Sequence, residues 1–246
     1  MTVVEYTGGS TGSSLAFVCA AKGYRFHGVS SDAFAEEKLR TMRAFGAELT
    51  IVPSREGRIT PDLIPRMREE AERLADRPDT YFTDQFHNTD QVAGYRRLGE
   101  ELLAQLDRQP DVFCAAVGTA GLLMEVAEVL RATDHATRIV ALEPAASAVI
   151  SGGQAEGHHV EGIGVGFVPP LLQEHLYDDV LPVDEGRGRE TAGRLAREKG
   201  IFAGTSTGLN IAGAMELGQG LGPERRVVTV AVDSGVKYLG GDLYAV

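Results

Sequence analysis

The sequence predicts an α/β fold with a largely parallel sheet. Short runs rich in valine and isoleucine alternate with helix-period stretches along the chain, and several runs are apolar at nearly every position, as in strands covered on both faces. In three places a glycine-rich turn follows a strand or a short apolar run and opens a helix. Val3–Tyr6 is the first strand, and it leads into Thr7–Gly12 (TGGSTG) and a helix closed by Lys22 beside Gly23. Asp32–Phe45 reads as a helix. Ser31 and Asp32 offer N-caps, Ala35, Leu39, Met42 and Phe45 share a face, and Gly46 stops it. Glu48–Val52 is a strand, and Ile64–Ala75 keeps Ile64, Met67, Ala71 and Leu74 in helical register with Pro65 near its start. Strand Tyr81–Phe86 and helix Tyr95–Leu106 follow. Val112–Val117 (VFCAAV) then runs through Gly118–Gly121 (GTAG) into helix Gly121–Leu130. Strands Arg138–Leu142 and Val180–Val183 flank the longest irregular segment, Ser151–Gly166. Helix Glu190–Lys199, turn Gly204–Gly208 (GTSTG), helix Thr207–Leu217 and strand Val227–Val232 (VVTVAV) complete the pattern.

A length of 246 residues is enough for one sizeable α/β domain or two modest ones. The net charge of -11 disfavours nucleic acid or an anionic membrane surface as a partner. It leaves open local binding of a phosphate by backbone N–H groups at a helix N-terminus. The N-terminal residues lack the basic and apolar regions of a signal peptide, and no apolar run reaches the roughly 18 residues of a membrane span. Cys19 and Cys114 sit in apolar runs without CxxC spacing and read as reduced, buried thiols of a cytoplasmic protein. The histidines show no metal-ligand spacing, so no metal site is expected.

Open α/β sheets bind ligands beyond the carboxyl ends of their strands, where the three glycine turns lie. In Gly118–Leu122 a strand ends, the backbone turns and a helix begins at once. Its N–H groups and the Thr119 hydroxyl make a seat for a phosphate, although many α/β proteins use such a turn merely to pack helix on strand. Thr7–Gly12 carries the hydroxyls of Ser10 and Thr11 and looks superficially like the start of a short-chain dehydrogenase. That chemistry needs a Tyr-x-x-x-Lys pair, and no tyrosine here has a lysine four residues on. No GxxxxGK[ST] sequence exists either, which removes a P-loop NTPase.

Taken in order, VVEYTGGSTGSSLAFVCAAKGY, EEKLRTMRAFGAEL, DQF, VGTAGLL, EGIGVGF, GTSTG and VDSGVKYL resemble the cysteine synthase and cystathionine beta-synthase family of pyridoxal-phosphate (PLP) enzymes, fold type II. The resemblance covers essentially the whole chain. It implies a two-lobed molecule, with a smaller substrate-loop lobe over residues 1–87 and a larger phosphate lobe over 88–246. PLP would lie between them, a small amino acid would be the substrate, and the assembly would be a homodimer. By the same resemblance Thr7, Gly8, Thr11 and Gln85 hold the substrate carboxylate, and Gly118, Thr119, Ala120, Gly121 and Leu122 hold the cofactor phosphate. Ser10 lies near the cofactor's phenolic oxygen, Ser206 hydrogen-bonds the pyridine nitrogen, and Gly162–Gly166 is a flexible loop facing the substrate.

A neutral serine at the ring nitrogen leaves a weaker electron sink than an aspartate does. Such a site suits prompt loss of a β-leaving group over transamination. The implied reaction is β-replacement, forming L-cysteine from an activated serine and sulfide. β-Elimination of cysteine is the alternative within the same chemistry, and a non-catalytic fragment or paralogue is the alternative outside it. Three positions depart from the family: Ser10 replaces an asparagine, Gly8 a serine, and Leu122 a hydroxyl residue.

In the resembled family the Schiff-base lysine lies well upstream of the loop matched by Thr7–Gly12, whereas six residues precede Thr7 here. The expectation is a shortened chain without that lysine and without the first strands of the large lobe, leaving an open sheet edge and uncovered apolar surface. Of the lysines present, Lys22, Lys38 and Lys199 read as solvated helix residues. Lys237, after Asp233-Ser234-Gly235, is the one near a site loop and the weak candidate for a cofactor role.

Overall fold

In the computed structural model, which describes residues 1–133 and 136–245, two four-stranded parallel sheets follow one another along the chain. The first contains β1 (Thr2–Tyr6), β2 (Arg25–Ser31), β3 (Glu48–Val52) and β4 (Thr80–Phe82) in the order β3-β2-β1-β4. Helices α1 (Ser10–Lys22), α2 (Glu36–Ala44) and α3 (Leu63–Ala75) connect these strands. Alternation along β1 decides which layer each side chain joins. Val4 and Tyr6 face α3, among Leu63, Met67, Ala71 and Leu74, while Val3 faces α1 and α2, among Ala16, Cys19, Leu39 and Met42.

The second sheet contains β5 (Val112–Ala116), β6 (Arg138–Pro144), β7 (Asp179–Val183) and β8 (Val227–Val228), ordered β7-β6-β5-β8. Around it lie α4 (Asp90–Gln105), α5 (Gly121–Thr133), α6 (Glu185–Lys199) and α7 (Thr205–Gln219). β5 is buried on both faces: Phe113 and Ala115 pack with Leu123, Val126 and Leu130 of α5, and Val112 and Cys114 with Leu209 and Ala212 of α7. Burying a Phe or Leu of this kind contributes about 1.5–3 kcal/mol.

The α/β class and the parallel sheets agree with the sequence expectation, and five elements or element ends depart from it. β2 is absent from the predicted strands because its sequence, RFHGVSS, is broken by Gly28 and ends in serines. It forms because it lies between β1 and β3, with the Ser30 hydroxyl donating to Thr7 O at 2.8 Å. The second helix begins at Glu36 and not at Asp32, since the Asp32 carboxylate is taken by Ser54 N at 2.7 Å. Its start is instead capped by Glu161, 126 residues away, whose oxygens accept from Ala35 N at 3.1 and 3.2 Å. β4 ends at Phe82, and Thr83–Phe86 leaves the sheet. β8 is two residues long, because side chains replace the ladder beyond it: the Thr229 hydroxyl donates to Cys114 O, Asn210 Nδ2 donates to Val230 O, and Val232 N donates to Thr207 Oγ1. Helices α4 and α6 start five residues earlier than expected, α6 on an Asp184 side chain that accepts from Arg187 N.

Near the carboxyl ends of the second sheet Ile201, Phe202, Val232, Val236 and Leu239 remain exposed. Among the described residues no helix is long and apolar enough to cross a membrane, and no group of three or more His, Cys, Asp or Glu is placed to hold a metal. Both cysteines are free and buried.

Candidate active site

A cavity of about 200 Å³ opens where the carboxyl ends of β1 and β5 face each other, and all three glycine turns reach it. Of the residues singled out from sequence, Thr7, Gly8, Ser10, Thr11, Gln85, Gly118, Thr119, Ala120, Leu122, Gly162 and Ser206 line it. Gly121 sits behind the wall. A Cβ there would stand 3.0 Å from Gln91 Oε1, so its glycine serves packing beneath the turn.

Thr7 shapes the first turn. Its buried hydroxyl oxygen accepts from Gly9 N at 2.9 Å and Gly12 N at 3.1 Å, which folds the loop back on itself at the head of α1. Gly9 takes φ +121, and a Cβ on Gly12 would lie 2.5 Å from both Met42 Sδ and Thr7 Cγ2, so neither position accepts a side chain. Thr11 Oγ1 donates to Gln85 Oε1 at 2.9 Å, and Gln85 Nε2 donates to Tyr6 O at 2.6 Å. Behind Gln85 lies Glu5, fully buried, accepting through Oε2 from Gln85 N at 2.9 Å and Thr83 Oγ1 at 2.5 Å, with Oε1 unpartnered. Burial pushes the Glu5 carboxyl up to about 7 against the lowering effect of these hydrogen bonds.

The turn after β5 is connected to this loop through Gln91 of α4. Gln91 Nε2 donates to the carbonyl oxygens of Gln85 and Asn88, and Gln91 Oε1 accepts from Thr119 Oγ1 at 2.9 Å. Ala120 adopts φ +73, a left-handed conformation that costs an L-residue roughly 1 kcal/mol, and Ala120 O accepts the first helical bond of α5 from Met124 N. The N-terminus of α5 thereby lies beside the cavity, which Leu122 and Leu123 line, while Gly121 N donates to Thr119 Oγ1 at 3.4 Å. A Cβ on Gly118 would lie 2.4 Å from Gly162 O, so the turn packs directly on the glycine-rich stretch. Ser206, buried in the first turn of α7, completes this side.

The structure adds a wall that the sequence reading missed. Lys38, expected in solvent, is 2% exposed and lines the cavity. Its ammonium donates to Glu161 Oε2 and to Tyr238 OH, both at 2.9 Å, and stands 3.9 Å from Asp233 Oδ2. Tyr238 OH in turn donates to Asp233 Oδ2 at 2.9 Å, and burial together with the Asp233 charge pushes the phenol far above its ordinary value. The helical register held the signal, since Lys38 lies three residues after Ala35 and four before Met42, on the edge of the apolar stripe. Lys237 is not among the lining residues. The 3₁₀ turn Gly235–Tyr238 directs Tyr238, not Lys237, into the cavity. Lys22 and Lys199 are exposed, as expected.

The glycine-rich stretch hangs on His158. The His158 ring, fully buried, bonds Gly164 O through Nε2 at 2.7 Å and accepts from Val160 N through Nδ1 at 3.2 Å, which fixes the Nε2–H tautomer. Burial lowers its affinity for a proton, in keeping with a neutral ring. Gly162, Gly164 and Gly166 all have positive φ.

Residues 1–233 match the family model described as pyridoxal-phosphate dependent enzyme. The chain belongs to this family. Among curated members it is 37% identical to a cysteine synthase of Staphylococcus aureus over 246 residues, which span 99% of this chain and 77% of that protein. Among solved members, the O-acetylserine dependent cystathionine beta-synthase from Helicobacter pylori superposes with a TM-score of 0.92 at 30% identity, over 99% of this chain and 78% of that one. An O-ureido-L-serine synthase superposes with a TM-score of 0.88 at 34% identity, over 99% and 76% of the two chains. These relatives share the type II fold of the pyridoxal-phosphate enzymes, and membership implies dependence on that cofactor.

Proposed function

We propose that this chain carries cysteine synthase-type chemistry, forming L-cysteine from an O-activated serine and sulfide. In that reaction the Cβ–O bond breaks, the activating group leaves with that oxygen and its electron pair, and sulfide forms the Cβ–S bond with loss of a proton. The observation that carries the reading is the convergence of the Gly118–Leu122 turn, Ser206 and the Thr11–Gln85 pair on one cavity.

The residues fit the cofactor. Gly118 has no room for a Cβ, Ala120 accepts a strained φ, and the N-terminus of α5 supplies N–H donors, the features of a phosphate seat. Bound there, PLP supplies an electron sink for bond changes at the amino acid's Cα and Cβ. Ser206 gives the ring nitrogen a neutral hydroxyl, which leaves that sink moderate and favours loss of a β-substituent. Thr11, Gln85 and the first N–H groups of α1 bind the substrate carboxylate. To do so Thr11 releases Gln85, since the two are now bonded to each other. Ser10 is the donor for the phenolic oxygen, and apolar Phe34, Ile59 and Val165 keep water from the reacting carbons. Leu122 brings no hydroxyl, so Thr119 is the side-chain donor to the phosphate, and to donate there it releases Gln91 Oε1.

One observation favours a second reading, a chain that binds the cofactor without turning over. Of the lysines in this sequence, Lys38 alone lines the cavity, and its nitrogen is engaged by Glu161 and Tyr238. An amine so held is not free to act as a covalent anchor. The test is an assay of the purified chain with added PLP. Cysteine formed from O-acetylserine and sulfide supports replacement, and pyruvate and sulfide released from cysteine move the assignment to elimination. Bound PLP with neither product supports the second reading.

A further inference from the structure

The three glycine turns come from distant parts of the chain, and Lys38 stands where their supports meet. The methylenes of Lys38 lie directly on the Thr7–Gly12 turn: a Cβ on Gly9 would be 2.6 Å from both Cβ and Cδ of Lys38. The first partner of its ammonium, Glu161, precedes Gly162, whose carbonyl oxygen packs against Gly118. The second partner, Tyr238, lays its ring against Gly204, where a Cβ would stand 2.3 Å from Tyr238 Cε2. Gly204 is the N-cap of the helix that carries Ser206.

We infer that Lys38 is a positioning residue that sets the spacing of the Gly9, Gly118 and Gly204 turns through its methylenes, Glu161 and Tyr238. Two features of the cluster suit this role. The ammonium is almost fully buried and sits among two carboxylates and a phenol, so its place is fixed by several partners at once and water does not compete for them. The contacts also join α2, beside the first sheet, to two segments beside the second, so the cavity's width follows from the length of one side chain. The inference leans on the proposed cofactor site only where cofactor binding is the readout.

Removing the charge alone would leave Glu161 and Asp233 without their cation and risks the fold. The informative variant is therefore the double change Lys38→Met with Glu161→Gln, which keeps the net charge of the cluster, with Asp233 still accepting from Tyr238 OH and the glutamine carbonyl from Ala35 N. Lys38→Arg and Tyr238→Phe accompany it. Thermal midpoints establish folding, amide hydrogen exchange reports on residues 8–12, 118–122 and 204–206, and titration with PLP reports on the cavity. The double variant is expected to exchange at least tenfold faster in all three turns together, with β5 and β6 unchanged, and to bind PLP at least tenfold more weakly. Lys38→Arg restores both readouts to within about threefold. Tyr238→Phe loosens residues 204–206 and leaves 118–122 protected. Wild-type exchange in a folded double variant, or loosening confined to residues 8–12, would overturn the inference. A wild-type chain that takes up no PLP would refute the proposed cofactor site instead, and the exchange measurement would still decide the role of Lys38.

Discussion

The two sides of the cavity are built on different principles. One side consists of glycine turns, each a short continuous stretch that opens a helix; two of them follow a strand, β1 or β5, and the third follows α6. The other consists of Lys38, Glu161, Asp233 and Tyr238, which come from three separate segments and meet only in the folded chain. The turns work through backbone geometry and the absence of Cβ atoms. The charged wall works through side-chain length and the pairing of buried charge. The chemistry-bearing surface is thus written locally, while the spacing between its parts depends on long-range pairs.

The largest expected effect lies on the backbone side. Gly118→Ala places a methyl 2.4 Å from Gly162 O, and neither partner is a flexible side chain. Stability should fall by about 1–3 kcal/mol, in the range of overpacked cores, and PLP affinity should fall at least 100-fold in a titration. Normal PLP binding by this variant would mean that the turn is not the phosphate seat.

Glu5→Gln sharpens the contrast by testing a buried charge beneath the turns. The Glu5 carboxyl is raised to about 7 from 4.5, so between these values the folded state holds a proton that the unfolded chain has released. Stability contributed by this group is complete below pH 4.5 and is lost as pH rises towards 7. The loss is on the order of 3 kcal/mol at most. Denaturant melts of wild type and variant from pH 4.5 to 8 should show that slope in the wild type and its loss in the variant. Parallel curves would contradict the burial of an uncompensated carboxyl.

Thr7→Val keeps the shape but removes the acceptor of Gly9 N and Gly12 N, which should cost about 1–3 kcal/mol and weaken substrate binding several-fold. Thr7→Ser should recover most of both. The smallest effect belongs to the exposed pair of Arg40 with Glu36, where Arg40→Ala should change stability by no more than about 0.5 kcal/mol in the same melts.

Much of this was legible in the sequence for a physical reason. Apolar runs such as VFCAAV and turns such as GTAG carry their structural instruction within a few residues, and eleven of the residues they and the family pattern single out line the cavity. Elements that depend on distant partners were harder to read. β2 ends in buried serines, and α2 is capped by Glu161 rather than by its own Asp32. Lys38 looked like a surface residue because its neighbours Glu36, Glu37 and Arg40 are charged. Its carboxylate partner lies 123 residues on and its phenol partner 200 residues on, and no local pattern announces either. Lys237, a weak candidate through its closeness in sequence to a site loop, stays off the cavity because the 3₁₀ turn presents Tyr238 in its place.

The most direct test of the central claim, that these turns form one cofactor site with its phosphate seat at Gly118–Leu122, is to compare the dissociation constants of PLP and of pyridoxal for the wild-type chain. PLP is expected to bind at least 100-fold more tightly, because the N–H groups of the α5 terminus and the Thr119 hydroxyl, once released from Gln91, contact only the phosphorylated form. Equal affinities for the two would contradict it.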